Sequence, residues 1–266
     1  MIQIITTLLA AFLAVSPRIL IPAPAEIISG QETCVLPEQL SYNIVCKADT
    51  AGLASLERYV GASGLASKTH TRGNINIVLG DHKLAKRFSS EKDFVREAAY
   101  CLEVTPKGIE IKAITPKGAF YAIQSLRQML YCGRELETCV VTDWPVMRYR
   151  GLMLDISRNF RDKEFIEKQI DAMALLKMDK LHLHLTDDAG WRIQIDSKPR
   201  LTDVAAWRVG ETWSQWVDFG KLYSQKDSPR ASGGYLTKDD VREIVAYAAD
   251  RQIDIIPEFE IPGHSR

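Results

Sequence analysis

The sequence has no excess of charge of either sign. Its 34 Lys and Arg residues are matched by 34 Asp and Glu, and no basic run stands out, so a nucleic-acid partner is not expected. Past residue 16 no stretch is long and apolar enough to cross a bilayer, so the mature chain is expected to carry no membrane span. Internal repeats and low-complexity tracts are missing, which excludes solenoid and array architectures. Cysteine is sparse and confined to the first 139 residues, at Cys34, Cys46, Cys101, Cys132 and Cys139, without a CxxC or any metal-like spacing. Cys132 with Cys139, or Cys34 with Cys46, could close a short bridge, and an odd count leaves at least one thiol outside such pairs. The alternative is that these residues are small buried hydrophobes.

What is present is an ordinary globular composition, 46% hydrophobic and 26% charged, in 266 residues. That length suits two modest domains or one barrel of about 250 residues. Residues 2–15, IQIITTLLAAFLAV, have the length of a secretory signal core, although no Lys or Arg precedes them. Residues 1–17 are therefore read as a signal peptide, and the protein as exported to the periplasm, the extracellular space or another secretory compartment. A buried strand or a mis-assigned start are the competing readings.

Residues 18–143 read as a small α+β domain. Asn74–Leu79 alternates as a strand should, and Tyr100–Val104 and Ile109–Ile114 flank the turn signal Pro106-Lys107-Gly108. Thr115 and Pro116 then open a helix, with Phe120, Ile123, Leu126 and Leu130 on one face. No residue of this region carries obvious chemistry.

Residues 144–266 follow a different grammar. RGLMLDISRNF (150–160), KLHLHLTDDAGW (180–191) and QIDIIPEFEIPGH (252–264) each begin apolar and end in charged or imidazole side chains. Helix-period segments separate them. One has Asp162 at its cap and Phe165, Ile166, Ile170, Met173 and Leu176 on a stripe. The other starts at the capping box of Thr237 and Asp240 and turns Val241, Ile244, Val245 and Ala248 inward. Strand, helix, strand in this order predicts an α/β fold: the first three strands of a (β/α)8 TIM barrel, with chemistry at their C-terminal ends. Three parallel strands cannot close on themselves, so the expectation is the front part of a longer polypeptide. A long loop, Asp187–Leu236, carries Trp191, Trp207, Trp213 and Trp216, which could stack on a ligand or pack as a loop core.

In register, RGLMLDISRNF, KMDKLHLHLTDDAGWRIQI, GGYLTKDDVREIV and PEFEIPGH resemble the start of the catalytic domain of glycoside hydrolase family 20 β-N-acetylhexosaminidases. The preceding KGIEIKAITPKGAFYAIQSLRQML resembles that family's non-catalytic domain. The resemblance implies removal of terminal N-acetylglucosamine or N-acetylgalactosamine with retention, the substrate's own acetamide acting as nucleophile, and no cofactor. It implies that Arg158 grips ring hydroxyls with its planar fork of donors, and that Asp187 hydrogen-bonds His264 beside the general acid. Asn159 departs from the family, where histidine is usual, and Asp188 reads as a loop cap. The principal Asp-Glu pair is implied in a GGDE-like motif, and none occurs in these 266 residues. The fragment alone is therefore expected to be inactive.

His182, His184, Glu258 and Glu260 admit another reading, a metal site in a barrel hydrolase, whereas the resemblance makes them inward-facing structural groups. A truncated, non-catalytic sugar-binding relic is the third possibility. The linkage cut, the gluco or galacto preference and the oligomeric state are not legible in the sequence.

Overall fold

The computed structural model describes residues 19–46 and 52–264, so the segment read as a signal peptide lies outside the described residues. The chain divides into two compact units: one runs to Arg148 and includes Leu175–Lys177, the other holds Tyr149–Ala174 and the chain from Met178 onward. No helix among the described residues is long and apolar enough to cross a membrane.

Among the described residues the first unit has seven strands: β1 (Glu26–Val35), β2 (Ser41–Cys46), β3 (Ser67–Lys68), β4 (Ile75–Leu79), β5 (Tyr100–Thr105), β6 (Gly108–Ala113) and β7 (Glu135–Asp143). They form a mixed sheet in the order β1-β7-β5-β6-β4-β2-β3. The period of two is strict in its centre. Ile75, Ile77 and Leu79, then Tyr100, Leu102 and Val104, then Ile109, Ile111 and Ala113 are all buried, while the residues between them are partly exposed. Its helices are α1 (Leu53–Ala62), α2 (His82–Arg87), α3 (Asp93–Ala98) and α4 (Pro116–Tyr131). Helix α4 packs against β4, β5 and β6. It starts where expected, with the Thr115 hydroxyl accepting from the Lys117 N–H at 3.2 Å and Pro116 in the first turn. Phe120, Ile123 and Leu126 are buried, each contributing about 1.5–3 kcal/mol of apolar transfer.

Beneath this helix lies a buried polar cluster. The Lys177 ammonium donates to Asp143 and to the Tyr100 hydroxyl, both at 2.8 Å, and the Tyr100 and Ser125 hydroxyls are 2.7 Å apart. Burial, reinforced by Asp143, pushes the Tyr100 phenol well above its ordinary range. None of the five cysteines is in a disulfide, which removes both bridges that the spacing allowed. Cys34 and Cys139 sit buried in the sheet as small hydrophobes, whereas Cys132 is exposed just past α4.

In the second unit, β8 (Gly151–Asp155) and β9 (Lys180–His184) are joined through α5 (Lys163–Leu175). The Asp162 carboxylate caps this helix by accepting from the Phe165 N–H at 2.9 Å. Ile166, Ile170 and Met173 are buried on the expected stripe. Leu176 is not: it lies beyond the helix end and is 42% exposed.

The segment from Asp187 to Leu236, expected as a long loop, carries short elements of its own. It holds β10 (Thr186–Asp187) paired with β11 (Gly190–Trp191), α6 (Arg200–Asp203), β12 (Trp207–Val209), α7 (Trp213–Asp218) and β13 (Ala231–Gly233), which pairs with β12. Trp216 is fully buried among these short pieces, while Trp213 is 39% exposed. The Thr237–Asp240 capping box then starts α8 (Lys238–Ala249), burying Ile244 and Ala248. Val245 is 47% exposed, one residue off the buried i, i+4 row. After α8 comes β14 (Asp254–Glu258), and the three main strands form a parallel sheet in the order β14-β9-β8.

Candidate active site

Parallel pairing fixes which residues share a row. Asp155 on β8 and Glu258 on β14 are both register partners of His184 on β9, so the last residues of all three strands lie side by side. Alternation within β9 buries Leu181 and Leu183 on one face and leaves His182 and His184 on the other. There Glu258 meets both rings, at 2.9 Å from His182 Nε2 and 2.8 Å from His184 Nδ1. The His184 hydrogen bond holds the Glu258 carboxyl below the usual carboxylate range.

Arg158 turns back over this row from the loop after β8. The Asp155 carboxylate first fixes the turn, accepting from the backbone N–H groups of Ser157 and Arg158 at 3.0 Å each. The Arg158 Nη1 then donates to Asp155 at 2.8 Å and lies 3.3 Å from His184 Nε2. Its Nη2 reaches Asp187 at 2.5 Å. Partial burial works against the guanidinium charge, but Asp155, Asp187 and Asp188 outweigh it and raise the Arg158 pKa. A planar fork has five donors, so the Nε–H and one further Nη proton remain without a described protein acceptor. The side chain is 31% exposed, so those donors are open to a ligand.

Asp187 is the hub. Its side chain is only 2% exposed, and its Oδ2 lies 2.5 Å from Arg158 Nη2, 3.1 Å from His264 Nδ1 and 3.2 Å from His184 Nε2. The other oxygen accepts the Asp188 N–H at 2.6 Å. Asp188 itself contributes its backbone carbonyl to the Tyr223 hydroxyl at 2.5 Å. The end of β14 is tied to the same place, with the Glu260 N–H donating to the Thr186 hydroxyl at 2.8 Å. His264 follows in a turn with φ of 50°. A cavity of about 120 Å³ opens here, lined among others by Asp187, Trp191, Tyr223, Glu260 and His264.

Arg158, Asp187 and His264 thus meet around one carboxylate. Asn159 does not join them: it lines a separate cavity with Phe160 and Arg161. Of the four residues that suggested a metal, His184, Glu258 and Glu260 bring ligand atoms within 4.8 Å of one another, while His182 pairs with Glu258. Sequence reasoning missed Asp155, whose signal was its place as the last residue of an apolar strand. It also missed Tyr223, which nothing in the loop sequence distinguishes.

Residues 147–266 match the catalytic domain of glycosyl hydrolase family 20, and residues 18–144 match domain 2 of the same family. A beta-hexosaminidase of Vibrio vulnificus is 40% identical over 171 residues, covering 64% of this chain and 20% of that protein. The N,N'-diacetylchitobiase of Vibrio harveyi is 40% identical over 176 residues, with 65% and 20% covered. The chain therefore spans about a fifth of the length of these two relatives. Among solved structures, the family 20 exo-beta-N-acetylglucosaminidase of Vibrio harveyi in complex with N-acetylglucosamine is similar with a TM-score of 0.73 and 29% identity, covering 94% of this chain and 37% of that one. A mutant Streptomyces plicatus beta-hexosaminidase in complex with N-acetylglucosamine gives 0.72 and 29%, covering 92% and 46%. Two domains of one family, matched in order along nearly the whole chain, make this protein a member of glycosyl hydrolase family 20.

Proposed function

We propose that this chain is part of a β-N-acetylhexosaminidase that removes terminal non-reducing N-acetylhexosamine from β-linked oligosaccharides or glycoconjugates, with retention and substrate assistance. The observation that carries the reading is the convergence of Arg158, Asp187 and His264 at the C-terminal ends of parallel strands, beside a cavity lined by Trp191 and Tyr223. Arg158 keeps free donors for vicinal hydroxyls while two carboxylates hold its plane in place. The buried Asp187 carboxylate orients His264, whose ring is 56% exposed and so able to reach a neighbouring acid. Family membership and the relatives' printed activities support the same reading.

The three parallel strands in sequential order, alternating with helices, are read as the opening of a (β/α)8 barrel. No GGDE-like Asp-Glu motif occurs in these 266 residues, so the isolated chain is proposed to be inactive. Export rests on the apolar run of residues 2–15. In the intact protein, Arg158→Ala should lower kcat/KM for an aryl N-acetyl-β-glucosaminide at least about 100-fold, close to 3 kcal/mol. An unchanged specificity constant would remove the assigned role. A metal-dependent hydrolase is the second reading, favoured only by the spacing of His184, Glu258 and Glu260. Loss of turnover on chelation, restored by a divalent cation, would select it instead.

A further inference from the structure

Arg192 follows β11 and is 1% exposed, and among the described residues it forms no ion pair. Burial first, then the like charge of Arg208, draws its pKa down to about 9, with Asp155 opposing them, so it remains a cation at neutral pH. A buried charge without a counter-ion is costly and has to be offset by hydrogen bonds. Here carbonyl oxygens take every donor. Nε donates to Ser157 at 3.1 Å, Nη2 to Ser157 at 2.8 Å and to Ala189 at 3.3 Å, and Nη1 to Gly234 at 3.0 Å and to Ala206. A guanidinium has five N–H groups in one plane, and all five are used.

The backbone of Arg192 is itself anchored. Its N–H donates to the Leu185 carbonyl at 2.9 Å, just past β9, and its carbonyl accepts from the Leu236 N–H at 2.9 Å. From that anchor the fork spans three pieces of chain. Ser157 directly precedes Arg158 in the loop after β8, Ala189 lies in the β10–β11 turn two residues past Asp187, and Ala206 and Gly234 flank the β12–β13 ribbon. Nη2 alone joins Ser157 to Ala189. The Ser157 hydroxyl adds a parallel tie, donating to the Gly190 carbonyl at 2.7 Å. The same two loops carry Arg158 and Asp187, whose 2.5 Å contact depends on how far apart the two backbones are held. The ribbon is tied to this place as well: Tyr223 bridges to Arg208 of β12, and its hydroxyl donates to the Asp188 carbonyl at 2.5 Å.

We propose that Arg192 is a positioning residue: its saturated fork clamps the loop after β8 to the β10–β11 turn and thereby holds Arg158 in its pairing with Asp187. Arg192 does not line the cavity beside Asp187, so it acts through the residues it holds. Lysine cannot replace it, since an ammonium offers three donors from one point where four carbonyls surround a planar group. What the held pair does, gripping ring hydroxyls, rests on the sugar reading; the holding itself does not.

The test uses the intact protein, an aryl N-acetyl-β-glucosaminide and Arg192→Lys, which keeps the charge and loses the fork. Expected are a KM at least about fivefold higher, and less than about a twofold further rise when the substitution is made in Arg158→Ala, where the residue to be positioned is gone. A merely structural role would shrink the active fraction, lowering kcat at constant KM and to the same extent in both backgrounds. Either of those results overturns the proposal. Hydrogen exchange gives a readout that needs no turnover: peptides covering residues 155–160 and 186–192 should exchange at least about tenfold faster in Arg192→Lys, with β4, β5 and β6 of the first unit unchanged. Unchanged or uniformly faster exchange overturns the clamp. A parent that does not hydrolyse the glucosaminide defeats the sugar reading alone, and exchange then decides the clamp. Should Arg192→Lys fail to fold, Gly190→Ala, whose methyl would stand 2.3 Å from the Arg192 guanidinium carbon, is judged by the same measurements.

Discussion

Replacing Asp187 by asparagine removes one charge and almost no volume. The side chain is 2% exposed, and its Oδ2 accepts from Arg158 at 2.5 Å and lies 3.1 Å from His264. A charge-assisted hydrogen bond is worth about 1.5–3 kcal/mol and a neutral one about 0.5–1.5. Each of the two contacts therefore weakens by about 1–1.5 kcal/mol, and together by about 2–3. With its one oxygen kept toward Arg158 and His264, the amide turns its NH2 to the Asp188 N–H, so the turn loses that hydrogen bond, a further cost of about 1 kcal/mol in stability. If the loss falls on the transition state, where Arg158 and His264 must be held in place, kcat/KM drops roughly 30- to 150-fold. The assay is steady-state release of the aryl group from an aryl N-acetyl-β-glucosaminide by the intact protein, with circular dichroism to confirm folding. Asp188→Asn is the comparison: the hydrogen bonds of Asp188 described above run through its backbone and its charge is the smallest of the three carboxylate effects that raise the Arg158 pKa, so it should cost clearly less than Asp187→Asn. A folded Asp187→Asn enzyme within threefold of the parent, or an equal loss in Asp188→Asn, would refute the hub assignment.

Gly190→Ala would place a methyl 2.3 Å from the Arg192 guanidinium carbon, so a melting temperature lowered by the equivalent of about 1–3 kcal/mol is expected, and an unshifted melt would contradict the clamp described for Arg192. Gly233 is under the same constraint, at φ of 148° and with its Cβ position 3.0 Å from Arg192 Nη1. Lys177→Met should destabilise the first unit by about 3–5 kcal/mol, because Asp143 loses its buried ammonium. Urea titration checks this, and adding Asp143→Leu should recover part of the loss. Dithiothreitol should leave the melting temperature unchanged, and iodoacetamide should alkylate the exposed Cys132 first. Cys139, its thiol pushed up to about 12 chiefly by burial, should react only on unfolding.

The sequence alone determined whatever depends on local period and local caps. Alternation placed His182 and His184 opposite Leu181 and Leu183, and Thr115, Asp162 and Thr237 marked helix starts that the structure keeps. Strands that begin apolar and end charged indicated where Arg158, Asp187 and His264 would gather, because parallel pairing brings equivalent ends together. Long motifs in order gave the family, which no single HxH or PGH could. Tertiary structure decided the rest. Whether cysteines at plausible spacing bridge depends on distances that spacing does not set, and none of the five forms a disulfide. Leu176 and Val245 belong to apolar patterns, yet their exposure follows from where the helix ends and where its neighbours lie. Arg192 reads in sequence as one more charged residue after a tryptophan. Only the fold, by bringing the carbonyls of residues 157, 189, 206 and 234 around it and leaving Arg208 beside it without a counter-ion, makes it a buried cation. Burial of a charge is a property of what surrounds it in space, and that is the information a linear pattern does not hold.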